Sequence, residues 1–304
     1  MIPGANMRML MMAPAIMMSM QAAAQSYAWW ANNVHWDGVT PWERYLTYTP
    51  GFLGPNALPV PHMTNGSTDT VNSIGLSGDF YFSKGDHTQN TAVYANYCLE
   101  KNKVSFDLYW VPVEHFTMSY AIKTERRVFT QHYYDRYGKG DIHLNTNIQL
   151  INKPEKLLYV AARIGYRFPS SDIGAARFTD APGYYFDFSL GKGLPKHPSL
   201  KWMVMVGGYF WQAEIRRHPQ DDALLYGTGM EYNKDGVRLQ AVIGGYVGYF
   251  YRLRDKPMIA RVEFSKSCRR KRFFFQAQQG LHNYNYTSLV IGLRQLFASR
   301  NDHR

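Results

Sequence analysis

Along most of this chain apolar and polar residues alternate with a period of two. In "LLYVAARIGYRF" (157–168), Leu158, Val160, Ala162, Ile164 and Tyr166 fall on one side, while Arg163 and Arg167 lie on the other. That period describes a strand with two unlike faces. It recurs in "SIGLSGDFYF" (73–82), in "DIHLNTNIQLI" (141–151) and in "YYFDFSLGK" (184–192). Segments 91–99, 104–124, 201–212, 224–233, 237–250, 257–266, 272–281 and 287–297 read likewise, which makes twelve strands. Pro112 stands in the middle of 104–124. Proline cannot donate to a sheet ladder, so a bulge or bend within one strand is expected there.

The connections alternate in length. Short polar turns at 100–103, 152–156, 194–201, 233–236 and 267–271 interleave with longer stretches at 125–140, 168–182, 213–223 and 251–257. Short turns on one side, long loops on the other and an even strand number are the habits of bacterial membrane barrels. A soluble sandwich predicts neither this alternation nor aromatics gathered near strand ends. The fold expected is therefore all-β: a transmembrane antiparallel up-and-down β-barrel of about twelve strands over 73–297, in the outer membrane of a Gram-negative bacterium. Apolar faces then meet lipid, and Arg163 and Arg167 point inward.

Composition agrees. Aromatics make up 15% of the 304 residues, yet mean hydropathy is negative. Past the N-terminal region no stretch stays apolar for the roughly 18 residues a membrane helix needs. "MRMLMMAPAIMMSMQAAAQ" (7–25) has the basic start, apolar run and small-residue end of a secretory signal, so residues 1–25 are expected to be cleaved. Residues 26–72 differ from the barrel in kind. They are rich in Pro, carry four Trp and show little periodicity. Disordered linkers are poor in aromatics, so an ordered, non-barrel extension is expected, packed at the periplasmic mouth or inside the lumen. A polar tail, 298–304, follows the last strand. Cys98 and Cys268 provide one bridge at most and no metal-site spacing.

The formal net charge of +11 matters through location. In an exported chain the counter-charges are lipopolysaccharide phosphates and small anionic solutes, not nucleic acid; even "CRRKR" (268–272) reads as a solvated basic patch at a turn. Alternation sends Asp79, Asp107, His115, Lys123, His143, Arg163, Arg167, Asp187, Glu231, Arg238, Arg261, Glu263 and Arg294 to the lumen. These charges either pair and close the lumen, or leave arginines to select anions by holding carboxylate or phosphate in fixed geometry. The loop "RRVFTQHYYDRYGKGD" (126–141) offers Arg126, Arg127, Tyr133, Tyr134 and Arg136 as a contact surface, since Tyr and Arg dominate binding hot spots. "DIGAARFTDAPGYY" (172–185) is a second candidate loop. Catalysis is not expected: His115 beside Glu114, and His132, lack a nucleophile motif. No cofactor is called for, and no protein partner is indicated.

"GPNALPVP" (54–61), "VPVEHF" (111–116), "ARFTDAPGYYFDFSLGK" (176–192), "DALLYG" (222–227) and "QQGLHNYNY" (278–286) resemble an outer-membrane β-barrel family of Bacteroidetes-type bacteria. The resemblance implies location and fold, and no established activity. "YTSLVIGLRQLF" (286–297) also resembles the terminal targeting strand of such barrels, although a tail follows it. The expected function is porin-like passage of small, anionic solutes; the alternative is a closed barrel serving as a structural or interaction module, and a lipid-modifying enzyme is the least favoured.

Overall fold

Every alternating segment contributes a strand, and the strands close on themselves. The computed structural model describes residues 28–40, 45, 53–127, 136–171, 177, 182–215, 218–248 and 255–297, with backbone alone at 29, 213–215 and 218–221. A short helix α1 (Ala28–Val34) comes first. The strands are β1 (Asn72–Ser83), β2 (Asp86–Glu100), β3 (Val104–Met118), β4 (Arg136–Gly138), β5 (Ile142–Lys153), β6 (Leu158–Phe168), β7 (Gly183–Leu194), β8 (His197–Ile215), β9 (His218–Lys234), β10 (Val237–Gly248), β11 (Met258–Cys268), β12 (Lys271–His282) and β13 (Thr287–Phe297). A second helix, α2 (Tyr120–Arg126), lies between β3 and β4. Each strand pairs antiparallel with its chain neighbours, except that β5 pairs directly with β3, and β1 pairs with β13. The closed ring thus has twelve strands. Three-residue β4 lies outside it, on the upper end of β3.

Closure satisfies every ladder, which a spanning sheet requires in hydrocarbon. The outer face supplies the apolar belt: Ile74, Ile164, Phe188, Val206, Ile243 and Ile291 are all exposed there. Aromatics such as Tyr97, Trp202, Phe273 and Phe297 flank it at one rim. This belt on a closed barrel makes the protein an outer-membrane one. At that rim the connections are tight. Asp235 and Gly236 both take positive φ (51° and 74°), the hairpin geometry that suits strand twist, and Asn102, Leu157 and Arg269 supply single left-handed residues. We call this the turn end and the opposite rim the loop end.

Three differences from the sequence reading have clear causes. β2 starts at Asp86, within the expected connection, because its outward residues His87, Gln89 and Thr91 lie beyond the apolar belt and show no alternation. For the expected loop at 213–223, the backbone instead continues β8 and β9 upward as a tall hairpin. The third concerns 104–124, whose last third is helix: Ser119 caps α2 by accepting from the Ile122 N–H, and Arg127 ends it with φ 55°. Pro112 does mark a bulge. Thr91 pairs with Val113 and Val93 with Trp110, so Val111 and Pro112 stand opposite Ala92 alone.

Candidate functional site: the occupied lumen

Residues 53–71 run through the barrel from the loop end to the turn end. Their polar contacts descend the wall in order. The Tyr284 hydroxyl donates to Pro55 O (2.9 Å), Tyr246 to Leu58 O (2.9 Å), and Arg261 Nη2 to Val60 O (3.1 Å). Lower down, Asn65 Nδ2 donates to Glu231 Oε1 (2.8 Å), Gln149 Nε2 to Gly66 O (2.7 Å), and the Thr68 N–H to Gln149 Oε1 (2.9 Å). Asn96 donates to Asp69, and the Cys98 N–H to Asn72 Oδ1 (2.7 Å) at the foot of β1. Leu58, Val60 and Met63 fill an apolar core with Met203, Met205 and Leu225 from the wall. At Gly66 (φ +79°) a Cβ would stand 2.6 Å from both Gly191 N and Tyr159 O, so only glycine lets the segment lie against β6 and β7.

Above the segment a buried charge network lies at the loop end. Arg177 is wholly enclosed: Nε donates to Glu114 Oε1 and Nη1 to Asp86 Oδ2, both at 2.8 Å, Nη2 donates to Thr88, and the guanidinium lies over the Phe116 ring. Arg126 Nη1 and the Tyr286 hydroxyl also donate to Asp86 Oδ2, each at 2.6 Å. Asn56, from the threaded segment, donates to the second oxygen of Glu114 and accepts from Asn90 (3.1 Å). Beyond this knot α1 rests on α2, with Trp30 Nε1 donating to Arg127 O (3.0 Å). On α2, burial holds the Lys123 ammonium down at about 8. Past α1, the Thr40 hydroxyl and two backbone N–H groups hold the Asp37 carboxyl below its usual range.

The arginines expected to select solutes divide into two sets. Arg163 Nε is 2.7 Å from Asp187 Oδ2, Arg167 Nη1 is 3.8 Å from Asp141 Oδ2, and Arg238 bridges Glu231 (2.7 Å) and Glu263 (3.7 Å). Asp107 accepts from Asn145 (2.6 Å) and Asn147 (2.8 Å), and Asp79 from Ser77 (2.5 Å). His143 lies beside Tyr109, which also faces inward. Arg261 and Arg294, by contrast, make no carboxylate bridge among the described residues; Arg261 Nε donates to Gln278 (2.8 Å).

Several expectations need correction. His115 does not face the lumen. The extra residue at Val111–Pro112 reverses the alternation of β3, so Glu114, Phe116 and Met118 turn inward while His115 packs outside against Tyr137, ring centroids 4.8 Å apart and tilted at 42°. Lys123 lies on α2 and not on a strand. Arg126, expected on an exposed loop surface, is buried at Asp86, whereas Arg127 is exposed and Arg136 is half-buried in β4. Tyr133, Tyr134 and His132 lie outside the described residues, as does most of 172–185. No bridge joins the cysteines: Cys98 is buried and Cys268 exposed at the turn end. The sequence reading missed Arg177, Asp86, Asn56, His62 and Arg272, and it gave Glu114 no place in the lumen.

No protein-family model matches the chain, and no curated protein matches it. Among solved structures, an outer membrane channel from Pseudomonas putida F1 is similar, with a TM-score of 0.54 at 11% identity over 78% of this chain and 100% of that one. The KdgM porin, in complex with disordered oligogalacturonate, gives 0.46 at 7% identity over 73% and 99%. Outer membrane phospholipase A from Escherichia coli gives 0.39 at 11% over 81% and 95%. At such identities likeness bears on the fold alone, and what it shows, together with the apolar belt, is an outer-membrane β-barrel.

Proposed function

We propose that this barrel is closed at rest by its own residues 53–71 and serves as an interaction module that presents its N-terminal segment at the cell surface. The observation that carries this reading is the ordered descent of contacts from Pro55 at Tyr284 to Asn72 at Cys98. With short turns facing the periplasm, the loop end faces outward, and α1 lies at that end. Its contact surface is then α1 packed on α2, with Arg127 and Arg136 near the lipopolysaccharide layer. Catalysis forms no part of the proposal.

Surface labelling tests the threading directly. Val39 is 88% exposed beyond α1, and the exposed native Cys268 lies at the opposite rim. A membrane-impermeant maleimide applied to intact cells is expected to label Val39→Cys but not Cys268; permeabilising the outer membrane then exposes Cys268 as well. Labelling of Val39→Cys only after permeabilisation would overturn the threading. Passive uptake of small anionic solutes is the second reading, favoured by the open space that His62 and Asp69 meet inside the lower barrel. It requires residues 53–71 to move. In planar bilayers the intact protein is expected to be silent, and stepwise conductance from it would favour uptake over closure.

A further inference from the structure

Two inward-facing arginines are direct cross-strand partners: Arg272 on β12 and Arg294 on β13. Like charges placed opposite each other destabilise a sheet, so the arrangement needs either separation or a counter-charge. Neither arginine has a carboxylate within bridging distance among the described residues. Arg272 Nε donates to Ser267 Oγ (3.1 Å). Among the described residues Arg294 has no hydrogen-bond partner; it is held against aromatic rings.

The contact is built into the wall. Arg294 lies over the Tyr94 ring at 4.8 Å and the Phe274 ring at 5.5 Å. Its stem crosses Gly75, where a Cβ would meet Arg294 Cγ at 2.7 Å, and Phe274 lies across Gly292, where a Cβ would meet its ring at 2.2 Å. Two glycines thus make room for Arg294 and Phe274. A guanidinium carries five N–H donors and no acceptor. Both arginines are half-exposed although they point into the barrel, so they meet the lower lumen's open space. His62, on the threaded segment, projects into the same space within electrostatic reach of Arg261, Arg163 and Arg294. Asp69 and Glu263 are the nearby carboxylates, but Glu263 is already shared with Arg238 and Asp69 accepts from Asn96.

We propose that the lower lumen is an oxyanion-binding vestibule, in which Arg294 and Arg272 grip a soluble phosphate or carboxylate group entering from the turn end, with His62 and Arg261 on its upper side. The loop-end knot stops the ligand from passing through, so the site does not depend on conduction. Its shape suits a free solute over a lipid, since Arg294 faces inward while its neighbour Leu293 faces lipid.

The test uses the full chain refolded in detergent, titrated calorimetrically with inorganic phosphate and, separately, with succinate, at constant ionic strength set by chloride. Saturable binding of either is expected, weakened about tenfold or more by Arg294→Gln, because a hydrogen bond to a charged group contributes roughly 1.5–3 kcal/mol. Heat-modifiability on gels verifies folding of each variant. Arg167→Gln, at the loop end of β6 and 3.8 Å from Asp141, serves as the comparison and is expected to bind normally if folded. Should Arg294→Gln fail to fold, the melting temperature of the native protein against phosphate concentration decides: a rise that saturates is expected, and a rise that only climbs linearly, as a general salt effect does, would overturn the proposal. Absence of saturable binding by the folded native protein, or unchanged binding by folded Arg294→Gln, would overturn the proposal.

Discussion

Replacing Arg177 by Met tests whether the loop end is held by a buried charge network. Arg177 is fully enclosed and shares one guanidinium between Asp86 and Glu114, both also buried. The substitution keeps most of the side-chain volume, so packing on Phe116 is largely retained and the change is electrostatic. The two carboxylates are not left equally exposed to the loss. Asp86 keeps Arg126 and Tyr286, each at 2.6 Å. Glu114 keeps only the amide of Asn56 and loses its sole cation among the described residues. One uncompensated buried carboxylate costs about 3–5 kcal/mol. Urea unfolding of the refolded protein in lipid vesicles, followed by Trp fluorescence, is expected to show a loss of that size. Glu114→Gln in the same chain removes the orphaned charge, so the double variant should recover about 1–3 kcal/mol of it, the usual coupling of residues in one network. A single variant within about 1 kcal/mol of the native protein, or a double variant whose losses simply add, would refute the network as described.

Gly66→Ala forces a Cβ into the backbone of β6 and β7 from a left-handed residue, so about 1–3 kcal/mol of strain is expected; proteinase K should then cleave within 53–71 in the refolded barrel, where the native chain is protected, and equal protection would count against the wall contact. Ile291→Lys puts a charge on a side chain 61% exposed in the middle of β13, expected to cost about 2–4 kcal/mol in lipid; unchanged urea stability would mean that this face does not meet the bilayer. Deleting Pro112 removes the extra residue of the bulge and leaves Val113 outward, Glu114 inward and His115 outward opposite the same β2 partners, so heat-modifiable folding is expected to be retained; loss of folding would show that the bend itself, and not only the facing of Glu114, is required.

The barrel was legible wherever strands cross the apolar belt. There one face must be apolar and the other polar, so Ile164 against Arg163 and Phe186 against Asp187 announce both strand and face. Legibility stops where the belt stops. His87 and Gln89 face outward above it, polar residues on what is elsewhere the lipid side, and the pattern that finds a strand vanishes although the ladder continues. The same limit hid the tall β8–β9 hairpin. Parity arguments also assume an unbroken count: a bulge was expected at Pro112, yet carrying the alternation through it assigned His115 inward and gave Glu114 no place in the lumen. Arg177 was out of reach for another reason, because a loop residue's partners follow from where the loop folds back and no local spacing encodes them.

The occupied lumen left a fainter trace, and that trace is glycine. A barrel filled only by its own side chains needs bulk on its inward positions, whereas here several are bare. At Gly191 a Cβ would stand 2.0 Å from Asn65 O, and at Gly227 it would meet Met63 Sδ at 3.3 Å. Both are inward positions facing the threaded segment, which is where the wall must be thin for a second layer of backbone to fit. Gly75 and Gly292 are inward too, but they make room for Arg294 and Phe274, side chains of the wall itself. Inward glycine therefore signals close approach without saying by what. In β7 and β9 it admits the chain's own N-terminal segment, and in β1 and β13 it admits an arginine and an aromatic ring, so the two halves of one lumen are thinned for opposite ends: one side to be filled, the other to keep a cation open to solvent.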